Sequence, residues 1–116
     1  MRDVSLCHCV ECLRWHGHVS AFTAAPREHL RLLAHDALRW VDSPDSDAHA
    51  RRGFCGECGS SLFWDAPGSD QISIAAGSLD PPTGLKTVAQ IYAADASDYY
   101  SVDPGIRRFE RGSQDG

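Results

Sequence analysis

The chemistry open to this chain rests on five cysteines in two close groups, Cys7-His-Cys9-Val-Glu-Cys12 and Cys55-Gly-Glu-Cys58. A thiolate is both a strong metal ligand and a nucleophile, so their spacing decides what they can do. Zn²⁺ takes about four ligands in a tetrahedron, and thiolates close in sequence can wrap one ion. Cys7, Cys9 and Cys12 supply three such donors within six residues. Three protein ligands with a fourth position open is the arrangement of a catalytic zinc, where an external thiol can bind as a thiolate. In the second group, Gly56 lies inside the turn and Gly59 follows Cys58. Glycines there let backbone amides approach and stabilise the sulfurs.

Other uses of the cysteines fit less well. An isolated Cys-x-x-Cys is often a redox pair, but here two clusters share one short chain. Disulfide stapling disagrees with the odd cysteine count and with opening residues that contain Asp3 and do not read as a signal peptide. Ferredoxin-like spacing is missing, which favours zinc over an iron–sulfur cluster. His8, between two candidate ligands, would point away from an ion held by its neighbours and act as a support rather than a donor.

The elements that must position these residues are short. Period-two patterning predicts strands over residues 37–42 and 71–76 and, in partial form, over 19–25; residues 61–65, short and aromatic, and 88–93 also read as strands, with 48–54 leading into the second cysteine pair. Residues 29–33 read as a turn that continues extended. Residues 43–47 and 66–70 have loop chemistry. The best helical stretch is a turn or two after Cys12, through Leu13, Arg14 and Trp15. The expected architecture is therefore mostly β, with at most one or two short helices in one domain over residues 1–111 and a frayed tail over 112–116.

Composition sets the remaining bounds. The 116 residues are 42% hydrophobic and 23% charged, with a net charge of -5. That balance argues against nucleic acid as a general partner, because phosphate binding depends on cations. No apolar run approaches the roughly 18 residues of a membrane span. The expected compartment is the cytoplasm.

Taken together, Cys7 to Arg14 with Gly17, Arg52-Gly-Phe-Cys55-Gly-Glu-Cys58-Gly-Ser-Ser-Leu-Phe-Trp64 and Gly77-Ser-Leu-Asp80 resemble the glutathione-dependent formaldehyde-activating enzyme family, which includes centromere protein V. Weaker matches continue at Gln90-Ile-Tyr92 and Asp103 to Phe109. The resemblance implies a β-tent fold with two zinc sites. Cys7, Cys9 and Cys12 would hold the catalytic zinc, and Cys55 and Cys58 a structural one together with an earlier Cys-x-Cys hairpin. Only six residues precede Cys7 here, so that hairpin is expected to be missing, and a late start, a lost site or a site merging all five cysteines would each account for it. Leu13 stands where the family usually has a basic residue, and Gln90 where His is common.

The activity implied is a carbon–sulfur lyase reaction run in reverse, joining glutathione or a related small thiol to formaldehyde or a related aldehyde. Arg14, Arg51 and Arg52 are candidates for substrate carboxylates, with solvated surface charge as the alternative role. Trp15 is a candidate pocket wall, and Tyr92 and Tyr99 could donate to a developing alkoxide. Trp40 and Trp64 are expected in the core. A second reading is a zinc-stabilised binding or scaffold domain without turnover, and a third a redox or metal-sensing role for Cys55 and Cys58.

Overall fold

In the computed structural model, residues 1–43 and 49–112 are described. Among these residues eight strands form one sheet: β1 (Val4–Cys7), β2 (Ser20–Pro26), β3 (Leu38–Asp42), β4 (Arg51–Cys55), β5 (Ser61–Asp65), β6 (Gln71–Ala75), β7 (Thr87–Ile91) and β8 (Arg107–Arg108). Their order is β3-β4-β5-β6-β2-β1-β7-β8. Pairing is antiparallel except at β1–β7 and β7–β8, which run parallel. The mostly β expectation holds. Strands β1 and β8 add to it; the first is four residues long and runs into a cysteine motif, and the second has two residues, too few for a period.

One α-helix, α1 (Val10–His16), interrupts the sheet between β1 and β2. It begins earlier than the expected helix after Cys12. The reason is Cys9, whose extended backbone and sulfur cap the helix by accepting the Cys12 N–H at 3.4 Å. The helix ends at Gly17, where a φ of 76° needs glycine and the N–H closes on the Leu13 carbonyl at 2.8 Å. Residues 29–33 open at the end of a turn and Leu30 is extended, as expected, but no strand follows. Arg27–His29 forms a 3₁₀ turn, and Leu33 is 87% exposed, so no strand there has a face to bury. Of the expected loop at 43–47 only Ser43 is described, and of the expected tail at 112–116 only Gly112.

The register sorts side chains onto two faces, because residues paired across antiparallel strands point the same way. On one face Ala25, Phe63, Ile72 and Ile74 form the core cluster, with Leu38 and Trp40 packed against it. Trp40 stacks on Phe63 at 6.0 Å across Gly53, where a Cβ would lie 2.9 Å from the Trp40 ring. On the other face the pairs Arg52↔Trp64, Trp64↔Ser73, Phe22↔Ala75, Ser5↔Phe22 and Cys7↔Ser20 line up across five strands. Helix α1 is tied back to the sheet by the Trp15 Nε1–H, which donates to Ser61 Oγ at 3.2 Å, and by the Ser43 hydroxyl, which donates to Glu11 at 3.0 Å.

At the end of β5 the buried Asp65 accepts from Arg27 at 2.6 Å and from Arg51 at 3.1 Å. Burial works against its carboxylate, but the two guanidiniums outweigh it and hold the carboxyl below its ordinary range. A group depressed in the folded state stabilises above its unfolded pKa and loses that effect as pH falls through the folded value. Asp65→Asn is therefore expected to lose about 1–2 kcal/mol at pH 7, a modest figure because both arginines are partly solvated. In urea melts the gap to the parent chain should narrow below about pH 4; an equal gap at pH 7 and pH 3 would contradict it.

Candidate metal centre

The corner between β1 and α1 carries the amino-terminal cysteines. Cys7 closes β1, Cys9 caps α1, and Cys12 lies in its first turn. The three sulfurs lie within 4.8 Å of one another, and this is the one group of three or more His, Cys, Asp or Glu donors that could hold a metal ion among the described residues. Sulfurs on a tetrahedral zinc stand about 3.8 Å apart, so only a small closure is needed. Cys7 and Cys12 are buried and Cys9 half-buried. The donor set is soft and the site largely dry, which suits a thiophilic divalent ion.

Electrostatics sharpen the picture. The thiols of Cys7 and Cys9 donate to Cys12 and hold its sulfur far below the ordinary thiol range, helped by Ser20 and Arg52 against the effect of burial. Cys7 is pushed correspondingly far up, first by its hydrogen bond to Cys12, and Cys9 is raised for the same reason. The three crowded sulfurs therefore titrate as one coupled group rather than singly. The Ser20 hydroxyl is buried with no conventional partner among the described residues, yet close enough to favour the Cys12 thiolate. The Arg52 guanidinium donates to Cys12 Sγ at 3.5 Å.

His8 faces away from the cluster, as its place between two ligands predicts. Its Nδ1 pairs with the Tyr100 hydroxyl at 2.7 Å and its Nε2 with Gln90 Oε1 at 2.9 Å. Gln90 is 1% exposed, and its amide donates in turn to the Asp103 carbonyl at 2.8 Å. The residue between two candidate ligands is therefore locked, which fixes the backbone that aims them.

The cluster opens into a cavity of about 670 Å³ lined by Cys7, Cys9, Cys12, Phe22, Arg52, Trp64, Ile91, Tyr92, Arg2, Arg14, Glu11 and Asp95, among others. Of the residues singled out by sequence, Arg14, Arg52 and Tyr92 reach this cavity. Arg51 does not: strand alternation sends it to Asp65 and over the Trp40 ring at 3.9 Å. Trp64, expected in the core, stands on the site face, because it pairs with Arg52. Trp15, expected to wall the pocket, packs edge-on against Phe54 instead. Tyr99 pairs with His18 away from the cavity. Sequence reasoning missed Arg2, Ser20, Phe22 and Ser73. The pairing register reveals Ser20, Phe22 and Ser73, whereas Arg2 lies ahead of β1.

Cys55 and Cys58 line a separate cavity of about 600 Å³ with His16 and Ser60. The Ser60 hydroxyl lies 3.1 Å from Cys58 and is the chief cause holding that thiol below its ordinary range, with the Ser60 amide and Cys55 adding to it. The arrangement is that of a ligand-bearing turn, but the pair gains no third His, Cys, Asp or Glu donor among the described residues, and it does not merge with the triplet.

The family described as glutathione-dependent formaldehyde-activating enzyme matches residues 2–95. No curated protein matches the chain. Cobalt titration of the reduced protein is expected to give thiolate-to-metal absorption from an ion on the triplet. The Cys7→Ser, Cys9→Ser, Cys12→Ser variant should lose that contribution, while Cys55→Ser, Cys58→Ser should keep it. Identical spectra for the triplet variant and the parent would contradict the site.

Proposed function

Because this chain belongs to the glutathione-dependent formaldehyde-activating enzyme family, we propose that it adds a small thiol, glutathione or a close relative, to formaldehyde or a related aldehyde, and reverses that addition. Cys7, Cys9 and Cys12 would hold a zinc ion. When bound, that ion supplies Lewis acidity that keeps an incoming thiol in its thiolate form near neutral pH. The observation carrying this reading is the convergence of three sulfurs within 4.8 Å on a cavity of about 670 Å³. Among the described residues no further His, Cys, Asp or Glu joins the three sulfurs.

The surrounding side chains suit such a substrate. Glutathione carries two carboxylates and an ammonium group. Arg2 and Arg14, both exposed along the cavity, offer guanidiniums to the carboxylates. Glu11 and Asp95 on the same wall offer carboxylates to the ammonium. Phe22, Trp64 and Ile91 form the apolar part of the wall and exclude water from the attacking sulfur and the carbonyl carbon. Cys12, Ser20 and Arg52 set the charge around the cluster floor.

Formaldehyde consumption in the presence of glutathione, followed by NMR, should run faster with the zinc-loaded protein than the uncatalysed background. Cys12→Ser should return the rate to that background. Arg14→Gln should raise KM by up to about fivefold, the size expected for an exposed ion pair, with kcat unchanged. No acceleration over a panel of small thiols and aldehydes would remove the enzymatic reading.

A further inference from the structure

Cys55 and Cys58 lie outside the metal centre, where β4 ends and the chain turns into β5. Both are free thiols, Cys58 exposed and Cys55 half-buried. The segment joining them is a single helical turn: the Gly59 N–H donates to the Cys55 carbonyl at 2.7 Å, and Gly59 ends the turn with a φ of 80°. It is held at its base by the Cys55 N–H on the Ser60 carbonyl at 2.9 Å and the Gly56 N–H on the Ala37 carbonyl at 2.7 Å. Residues three apart in such a turn have Cβ atoms about 5–6 Å apart, and a disulfide needs about 4 Å. The Cys55 thiol is already close enough to donate to the Cys58 sulfur. Residues 56–60 are exposed, so little packing opposes the remaining closure. The Ser60 hydroxyl lies 3.1 Å from the Cys58 sulfur. A thiol open to solvent, with a second thiol one turn away, is the arrangement through which thiol–disulfide exchange runs.

We propose that Cys55 and Cys58 form a reversible dithiol–disulfide site that exchanges with small-molecule disulfides of the glutathione class. Cys58 attacks first, because it is the sulfur that solvent reaches. As a thiolate it bonds to one sulfur of the incoming disulfide, the S–S bond breaks, and the other half leaves as a thiolate. The Cys55 thiol then gives up its proton and attacks the Cys58 sulfur. The Cys55–Cys58 bond forms, and the half carried on Cys58 departs as the second thiolate. The two protons lost by the protein end on the two released thiols. The dithiol gives up two electrons, and the incoming disulfide takes them. Excess thiol runs the same steps backwards. The half held on Cys58 in between has the cavity of about 600 Å³ beside it, where Ser61 and Ser78 offer hydroxyls to its peptide groups. The amino-terminal triplet takes no part, since Cys7 and Cys12 are buried and open to a different cavity. The site is independent of the thiol–aldehyde reading above.

The test equilibrates the zinc-loaded protein with mixtures of reduced and oxidised glutathione, quenches with acid, alkylates the remaining thiols and maps them by mass spectrometry after trypsin. Cleavage after Arg2, Arg14, Arg52 and Lys86 places Cys7, Cys9 and Cys12 in one peptide, residues 3–14, and Cys55 and Cys58 in another, residues 53–86. As the oxidised fraction rises, the peptide 53–86 of the parent is expected to lose both sites of alkylation and to carry no glutathione. Both sites should return when reduced glutathione is restored in excess. Cys55→Ser lacks the resolving sulfur and should instead accumulate glutathione on Cys58. Two alkylatable thiols on residues 53–86 in oxidised glutathione would overturn the proposal, whether the pair is inert or is protected by a zinc ion. A Cys55→Ser protein that traps no glutathione on Cys58 would overturn it as well. The same holds if Cys55 or Cys58 is found joined to residues 3–14, or if residues 3–14 are oxidised in their place. Should the variant not fold, the parent measurement decides alone.

Discussion

Three sulfurs held within 4.8 Å of one another in a largely buried corner cannot all be anions without compensation. At that distance two thiolates repel by roughly 3–4 kcal/mol even at an effective dielectric of about 20, and three such pairs would rival the whole stability of a small domain. The corner must share protons or take up a cation. Of the three sulfurs, Cys12 is the one whose anionic form its surroundings favour, through two neighbouring thiols, a hydroxyl and a guanidinium. A divalent cation would cancel two of three charges, and Arg52 stands where the remaining one is felt. The surroundings of the cluster follow from this balance.

The fold supplies the crowding through a strand that stops at one sulfur and a helix that starts at the next. Cys9 serves as the helix cap, so the element that brings Cys12 into place depends on a cluster member for its own first turn. His8 cannot turn inward, because Tyr100 and Gln90 occupy both ring nitrogens. Across the sheet, alternation divides labour cleanly: Phe63, Ile72 and Ile74 make the core on one face, while Trp64, Ser73 and Phe22 face the cavity on the other. A one-residue slip at β4 would exchange Arg51 for Arg52 and put Asp65's partner in the site.

The cysteine spacing made the triplet legible from sequence, because local separation alone forces those side chains together. The strands at 61–65 and 71–76 were legible too, the first from its short aromatic run before a clear turn and the second from its alternation. What sequence could not reveal depends on strand parity and long-range pairing. Arg51 and Arg52 look equivalent as neighbours, yet one serves a buried carboxylate and the other the cluster. Trp64 reads as core by its type, but its position opposite Arg52 puts it in the cavity wall. Ser20 carries no signal in its own surroundings and reaches Cys12 because β2 pairs it with Cys7. The early start of α1 was hidden because cysteine is an uncommon cap, and only the geometry of Cys9 reveals it.

X-ray absorption at the zinc edge, on protein in which Cys55 and Cys58 are replaced by Ser, tests the central claim most directly. The account predicts three sulfur neighbours and one lighter neighbour around the ion, changing to four sulfurs when glutathione is added. Four donors from the chain that ignore the added thiol, or no ion retained by Cys7, Cys9 and Cys12, would contradict it.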